Sequence, residues 1–105
     1  MARRISETAH LLLTALAEGE NHGYALARRV SEITSAELKL GSGTLYSTLD
    51  RLLADGLIEE AGEETVDGRA RRKYRITRRG TAEIVQHVQR LSQRVEAMNT
   101  ALGLT

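Results

Sequence analysis

The stretch from Gly41 to Ile58 confines this chain more than any other. It reads as one short amphipathic helix stopped by a glycine and followed at once by a strand. Leu45, Leu49, Leu52 and Leu53 recur at helical spacing and supply an inward face. Thr44, Ser47, Thr48 and Arg51 fall mainly on the opposite side, a row of short hydrogen-bonding groups closed by a guanidinium. That is the profile a helix needs to enter a DNA major groove without steric conflict. Ser42 is the expected N-cap and Gly56 the expected left-handed stop.

The 105 residues suffice for one domain with an appended helix. A core of that size is modest and gains from a partner subunit. The absence of cysteine excludes disulfides, zinc fingers and thiol catalysis together. No segment has the form of a secretory signal or a membrane span. The longest apolar run, Ala9 to Leu16, is short and interrupted by His10 and Thr14. The expectation is a cytoplasmic protein with no membrane partner.

Ahead of the central helix, Ile5, Ala9, Leu12, Leu13 and Leu16 mark a first helix over Ile5–Ala17, with Leu11 widening its stripe. A face this broad suggests burial against two neighbours. Gly19-Glu20-Asn21 reads as a turn. A second helix starts near His22-Gly23-Tyr24 and runs to about Ile33, with Leu26, Val30 and Ile33 facing inward. Ala36, Leu38 and Leu40 alternate with polar Glu37 and Lys39, which predicts a short strand. Beyond the central helix, Leu57–Glu64 and Arg69–Ile76 read as two strands around an Asp67-Gly68 turn signal, the loop being two residues or longer. The expected fold class is mainly α with a small β-hairpin: a winged helix-turn-helix over residues 1–76, followed by a long helix over residues 77–105.

Net charge is only +1, but its distribution is uneven. Asp50 to Asp67 holds seven acidic residues and one basic, whereas Arg69 to Arg79 holds seven basic residues and no acidic one. Such a basic block can anchor phosphates. The competing reading is a solvated strand whose arginines pair with nearby glutamates. On the second strand Arg71, Lys73 and Arg75 share one face, and Tyr74 and Ile76 the other.

Thr77 is positioned to cap a helix running to about Leu102. Ile84, Val88, Leu91, Val95, Met98 and Leu102 are spaced by four, three, four, three and four residues, a heptad pattern that predicts a homodimer. Val85 widens it at one end. The alternative is an amphipathic helix lying on its own domain, yet roughly 25 residues would extend about 38 Å, longer than so small a domain covers. Leu12 and Leu16 are expected to join the dimer contact from the other subunit.

Together these segments resemble the PadR family of bacterial transcriptional regulators, in its shorter subgroup with one C-terminal helix. The resemblance is carried by Leu11-Leu12-Leu13-Thr14-Ala15-Leu16, His22-Gly23-Tyr24-Ala25-Leu26, Gly43-Thr44-Leu45-Tyr46, Leu49-Asp50-Arg51-Leu52, Gly56-Leu57-Ile58, and Arg72-Lys73-Tyr74-Arg75-Ile76-Thr77 followed by Gly80. It spans nearly the whole chain in order. The family often has proline where this chain has Ser42 and Ser47, and this chain has none. The resemblance implies a dimeric repressor with a winged helix, whose last and first helices build the dimer. It also implies an operator near the regulator's own or a neighbouring promoter, and an inducer bound near the dimer interface.

Combined with the residue reading, this places Ser42, Thr44, Ser47 and Arg51 at or near the major groove of a double-stranded, pseudo-palindromic operator. Tyr24 fits a phosphate contact. Tyr46 fits either a phosphate contact or a core ring with a satisfied hydroxyl. Arg69, Arg71, Arg72 and Lys73 are assigned to phosphates or a minor groove, and Arg75 to an intramolecular pair or the same role. No cofactor or metal is expected. His10, His22 and His87 are scattered over three segments. His10 and His87 meet only if the first and last helices pack together, and core or interface histidines are then the ordinary reading. Glu59, Glu60, Glu63 and Glu64 read as solvated surface, and no nucleophile or phosphate-binding loop motif points to an enzyme. A rival with the same fold is an interaction or ligand-sensing module without useful DNA affinity. A small-molecule effector would meet aliphatic groups and Met98, because the only aromatic residues, Tyr24, Tyr46 and Tyr74, lie in the first 76 positions.

Overall fold

The computed structural model describes residues 5–104. Residues 1–4 and 105, which the two expected ranges include, lie outside the described residues. The element order is α1 (Glu7–Ala17), β1 (Asn21–His22), α2 (Gly23–Ile33), α3 (Ser42–Ala54), β2 (Ile58–Val66), β3 (Arg69–Ile76) and α4 (Arg78–Leu102). The three strands form an antiparallel sheet in the order β1-β3-β2.

Local chemistry sets the boundaries. Ser6 caps α1, its hydroxyl accepting from the Ala9 amide at 3.1 Å, so the helix begins two residues after Ile5. Gly41, not Ser42, occupies the N-cap of α3, and Ser42 lies inside the first turn. At the far end Gly56 adopts φ +73°, its amide donates to the Leu53 carbonyl and the Leu57 amide to that of Leu52. This is a Schellman closure, which turns the chain directly into β2. Asp67 and Gly68 have φ of +51° and +76°, giving the β2–β3 hairpin a two-residue turn. Such a turn matches the twist of its strands.

Two expectations are corrected here. The Ala36–Leu40 segment is not a strand. Ser35 and Ala36 turn with φ of +52° and +66°, the Thr34 hydroxyl accepts from the Leu38 amide, and the segment joins no sheet among the described residues. Its alternation arises because Leu38 and Leu40 lean half-buried on the core. The third strand is instead Asn21–His22, read from sequence as a turn and a helix start, which pairs with Tyr74 and Lys73 of β3.

Leu12, Leu13 and Leu16 of α1 meet Leu26 and Val30 of α2, Leu45, Leu49 and Leu52 of α3, and Leu57, Ile58 and Tyr74 of the sheet in one core. Leu12 and Leu16 are 0% and 1% exposed within a single chain. The expectation that they reach a partner subunit is therefore corrected: the wide face of α1 is filled by its own domain.

Helix α4 begins tightly and ends free. The Thr77 hydroxyl accepts from the Gly80 amide at 3.1 Å and donates to the Gly56 carbonyl at 2.7 Å. This binds the start of α4 to the end of α3. Ile84 leans on the core, whereas Val88, Leu91, Val95, Met98 and Leu102 are 43–70% exposed. Where α1 and α4 cross, the rings of His10 and His87 stack at 3.6 Å and 4°. His10 Nε2 lies 2.8 Å from Glu83 Oε2, and His87 Nδ1 is buried without a hydrogen-bond partner among the described residues.

Candidate nucleic-acid interface

Helix α3 turns Leu45, Leu49 and Leu52 inward and leaves Ser42, Gly43, Thr44, Ser47 and Arg51 exposed. Thr48 is half-buried at the edge of this face. Ser47 and Thr48 donate their hydroxyls to the Thr44 carbonyl, at 3.2 and 2.7 Å. Each hydroxyl oxygen, its proton so engaged, keeps lone pairs that can accept a further hydrogen bond. Arg51 makes no ion pair among the described residues and lines a 290 Å³ groove with Ser6, Ser47 and Thr48.

The approach of α2 to α3 depends on Gly23. A Cβ there would stand 3.1 Å from Tyr46 Cε1 and 3.3 Å from Leu49 Cδ1. One side of the Tyr46 ring rests in this space while the residue stays 39% exposed, between the two placements the sequence allowed. Tyr24, next along the chain, is 60% exposed in the first turn of α2. The Arg71 guanidinium lies 5.7 Å from its ring centroid, within cation–π range. This contact joins β3 to α2, and Arg71 Nε is buried with no hydrogen-bond partner among the described residues.

The basic strand divides into two groups. Toward the hairpin turn, Arg69 is exposed, and neither it nor Arg71 has an ion pair among the described residues. Toward the base, Arg72 Nη1 meets Glu60 at 3.2 Å, Lys73 Nζ meets Glu20 at 2.9 Å, and Arg75 Nε meets Glu59 at 2.8 Å. Hydrogen bonding to Lys73 holds the Glu20 carboxyl below the ordinary carboxylate range, and Glu20 pushes the Lys73 ammonium up. The charge of Glu60 likewise raises Arg72. Burial pushes the Tyr74 phenol up, against the opposing pull of Arg72.

All ten candidate DNA-contacting residues therefore lie on α2, α3 or β3, and Tyr24 and Arg71 come together. Sequence reasoning missed Glu20 as a partner of Lys73. Glu59 and Glu60, expected as solvated surface, pair instead with Arg75 and Arg72 of the basic strand, as the competing reading of that strand predicts. The described residues contain no group of three or more histidines and carboxylates able to hold a metal. No described helix is long and apolar enough to cross a membrane.

Residues 12–86 match the model of the Transcriptional regulator PadR-like family. The chain belongs to the PadR-like family of transcriptional regulators. It is 40% identical over 84 residues to Transcriptional regulator Rv3488 of Mycobacterium tuberculosis, covering 80% of this chain and 74% of that protein. Its fold is similar to that of a PadR family transcription regulator from Clostridium difficile, with TM-score 0.78, 25% identity, and 92% and 99% of the two chains covered. Bacillus subtilis PadR, solved in complex with operator DNA, shares the fold at TM-score 0.70 and 19% identity, over 81% of this chain and 48% of that one. The winged helix expected from the sequence is thus the architecture of this PadR-like chain, and its family is one of transcriptional regulators, not enzymes.

Proposed function

We propose that this PadR-like regulator is a cytoplasmic homodimer that binds a pseudo-palindromic operator in double-stranded DNA and represses transcription. Residues 1–76 form the DNA-binding unit and residues 77–105 the dimerisation helix. Each subunit inserts the N-terminal half of α3 into a major groove, where Ser42, Thr44, Ser47 and Arg51 meet base edges. Tyr24, Tyr46, Arg69, Arg71, Arg72 and Lys73 hold the phosphates on either side. Ile84, Val88, Leu91, Val95, Met98 and Leu102 build the dimer. No cofactor takes part.

The observation that carries this reading is the exposed polar face of α3, in one fold with the wing cations Arg69 and Arg71, which have no ion pair among the described residues. The operator complex of Bacillus subtilis PadR supports it by analogy of fold. Gel shift and footprinting on DNA upstream of the regulator's own gene test it. A salt-dependent complex with a defined footprint is expected, and salt-insensitive binding without sequence preference would contradict it. That outcome would favour the second reading, an interaction or ligand-sensing module, for which the neutralised base of the wing speaks. Release of the operator by a small effector bound among the aliphatic side chains of α4 belongs to the same proposal. Thermal-shift screening followed by gel-shift release checks it.

A further inference from the structure

The three cations at the base of the wing each form an ion pair with a carboxylate, and the two toward its tip form none among the described residues. We infer that Glu20, Glu59 and Glu60 are specificity determinants, which hold Lys73, Arg75 and Arg72 in internal ion pairs that a duplex displaces only where α3 seats on its sequence. The inference rests on the reading of α3 and the wing as the DNA-contacting elements.

The pairs are close, at 2.9, 2.8 and 3.2 Å, and Glu20 also stands 3.8 Å from Arg75. A duplex approaching from beyond a Debye length, about 10 Å at 0.1 M salt, meets a wing base whose cations are all paired, and a tip where Arg69 and Arg71 have no ion pair among the described residues although Glu63, Glu64 and Asp67 share that end of the hairpin. Exposed Arg69 can therefore meet a phosphate on any sequence, and Arg71, held on the Tyr24 ring, can do so without breaking an ion pair among the described residues. Engaging Arg72, Lys73 or Arg75 exchanges one anion for another. It also strands a carboxylate beside a polyanion, so the exchange gains little by itself. Base contacts made by α3 tip that balance, because they hold the wing base against the backbone. On other sequences α3 makes no such contacts, and the leash holds.

Stability is a weak explanation for these carboxylates. All three pairs lie at the surface, where ion pairs contribute little to folding. Pairing is also selective along the strand: Glu63, at the bulge between Glu60 and Glu63, makes no ion pair among the described residues.

The test compares the wild type with the combined variant Glu20→Gln, Glu59→Gln and Glu60→Gln, which keeps side-chain size and hydrogen bonding. The probes are a duplex that the wild type enriches from a randomised pool, and the same base pairs shuffled. Affinity is read by fluorescence anisotropy between roughly 50 and 200 mM salt, with circular dichroism confirming the fold. The variant is expected to bind the shuffled duplex about tenfold tighter and the enriched one about threefold tighter or less, so that discrimination falls. The salt slope on the shuffled duplex should steepen by up to about one unit per released cation, about three in all. Should the combined variant not fold, Glu59→Gln and Glu60→Gln singly should shift the same quantities in the same direction. Equal gain on both duplexes, or no change in ratio and slope, would overturn the inference and leave the DNA-binding reading standing. A wild type that enriches no sequence and binds no duplex would remove both.

Discussion

Gly80 stands where the long helix leaves the sheet, and a Cβ there would press on the Leu57 carbonyl and lie 2.7 Å from Ile76 Cγ1. Alanine is the better helix former by about 1 kcal/mol, so in an open site Gly80→Ala would stabilise. Here the Leu57 backbone, whose carbonyl accepts from the Thr77 amide at 3.1 Å, cannot yield without disturbing the Thr77 cap. Gly80→Ala is therefore expected to destabilise by about 1–3 kcal/mol, read as a lowered urea midpoint. An unchanged or raised midpoint would contradict the tight start of α4. Gly23 is a milder case, since its nearest neighbours are the side chains of Tyr46 and Leu49 at 3.1–3.3 Å. At the groove, Arg51→Ala should cost roughly 1–3 kcal/mol of binding and relax preference at one base pair, if competition with single-base variants of the enriched duplex is measured. Uniform weakening across all variants would make Arg51 a phosphate contact instead.

The joint between α1 and α4 is where one element reports on another. His87 is held below its ordinary value of 6.5, chiefly by burial and then by the charge of His10. Arg90 and Arg94 act in the same direction and Glu83 opposes them. A histidine depressed in the folded state binds protons less readily there than in the unfolded chain, so stability is complete above the ordinary value and declines as pH falls below it. Urea midpoints should drop between about pH 8 and pH 5.5, and His87→Gln should flatten that drop. A parallel decline in the variant would place the acid sensitivity elsewhere.

Much of this element plan was legible from periodicity and glycine alone. Leu45, Leu49 and Leu52 located α3, Gly56 its stop, and Asp67-Gly68 the hairpin. Asn21–His22 was hidden because two residues have no period. Ala36 to Leu40 misled because alternation records burial, and only a partner strand makes it a sheet. The breadth of α1 misled in another way: α2, α3, α4 and β3 all pack on it, so its second neighbour is intramolecular. The pairs of Arg72 with Glu60 and of Arg75 with Glu59 depend on the β2–β3 register, which shifts between Glu60 and Glu63, and that of Lys73 depends on Glu20 just before β1. The one trace of that shift in the sequence is Gly62, which takes φ +88° at the bulge.

At the scale of the molecule, the extents of 54 × 32 × 22 Å reflect α4 running on past its domain with an apolar row uncovered. Association of two such rows through Leu91 and its neighbours accounts for the heptad spacing. Leu91→Asp should place an unpaired charge in that contact and yield folded monomers by sedimentation, with operator affinity lost. A dimer that persists would move the interface elsewhere. Operator recognition of the proposed kind requires two copies to present their α3 helices to successive major grooves on one side of a duplex. Hydroxyl-radical footprinting of the wild type on its enriched duplex is the decisive measurement. Two protected half-sites are expected, related by a dyad and centred about 34 Å apart, one helical turn. A single protected patch, or protection without two-fold symmetry, would contradict it.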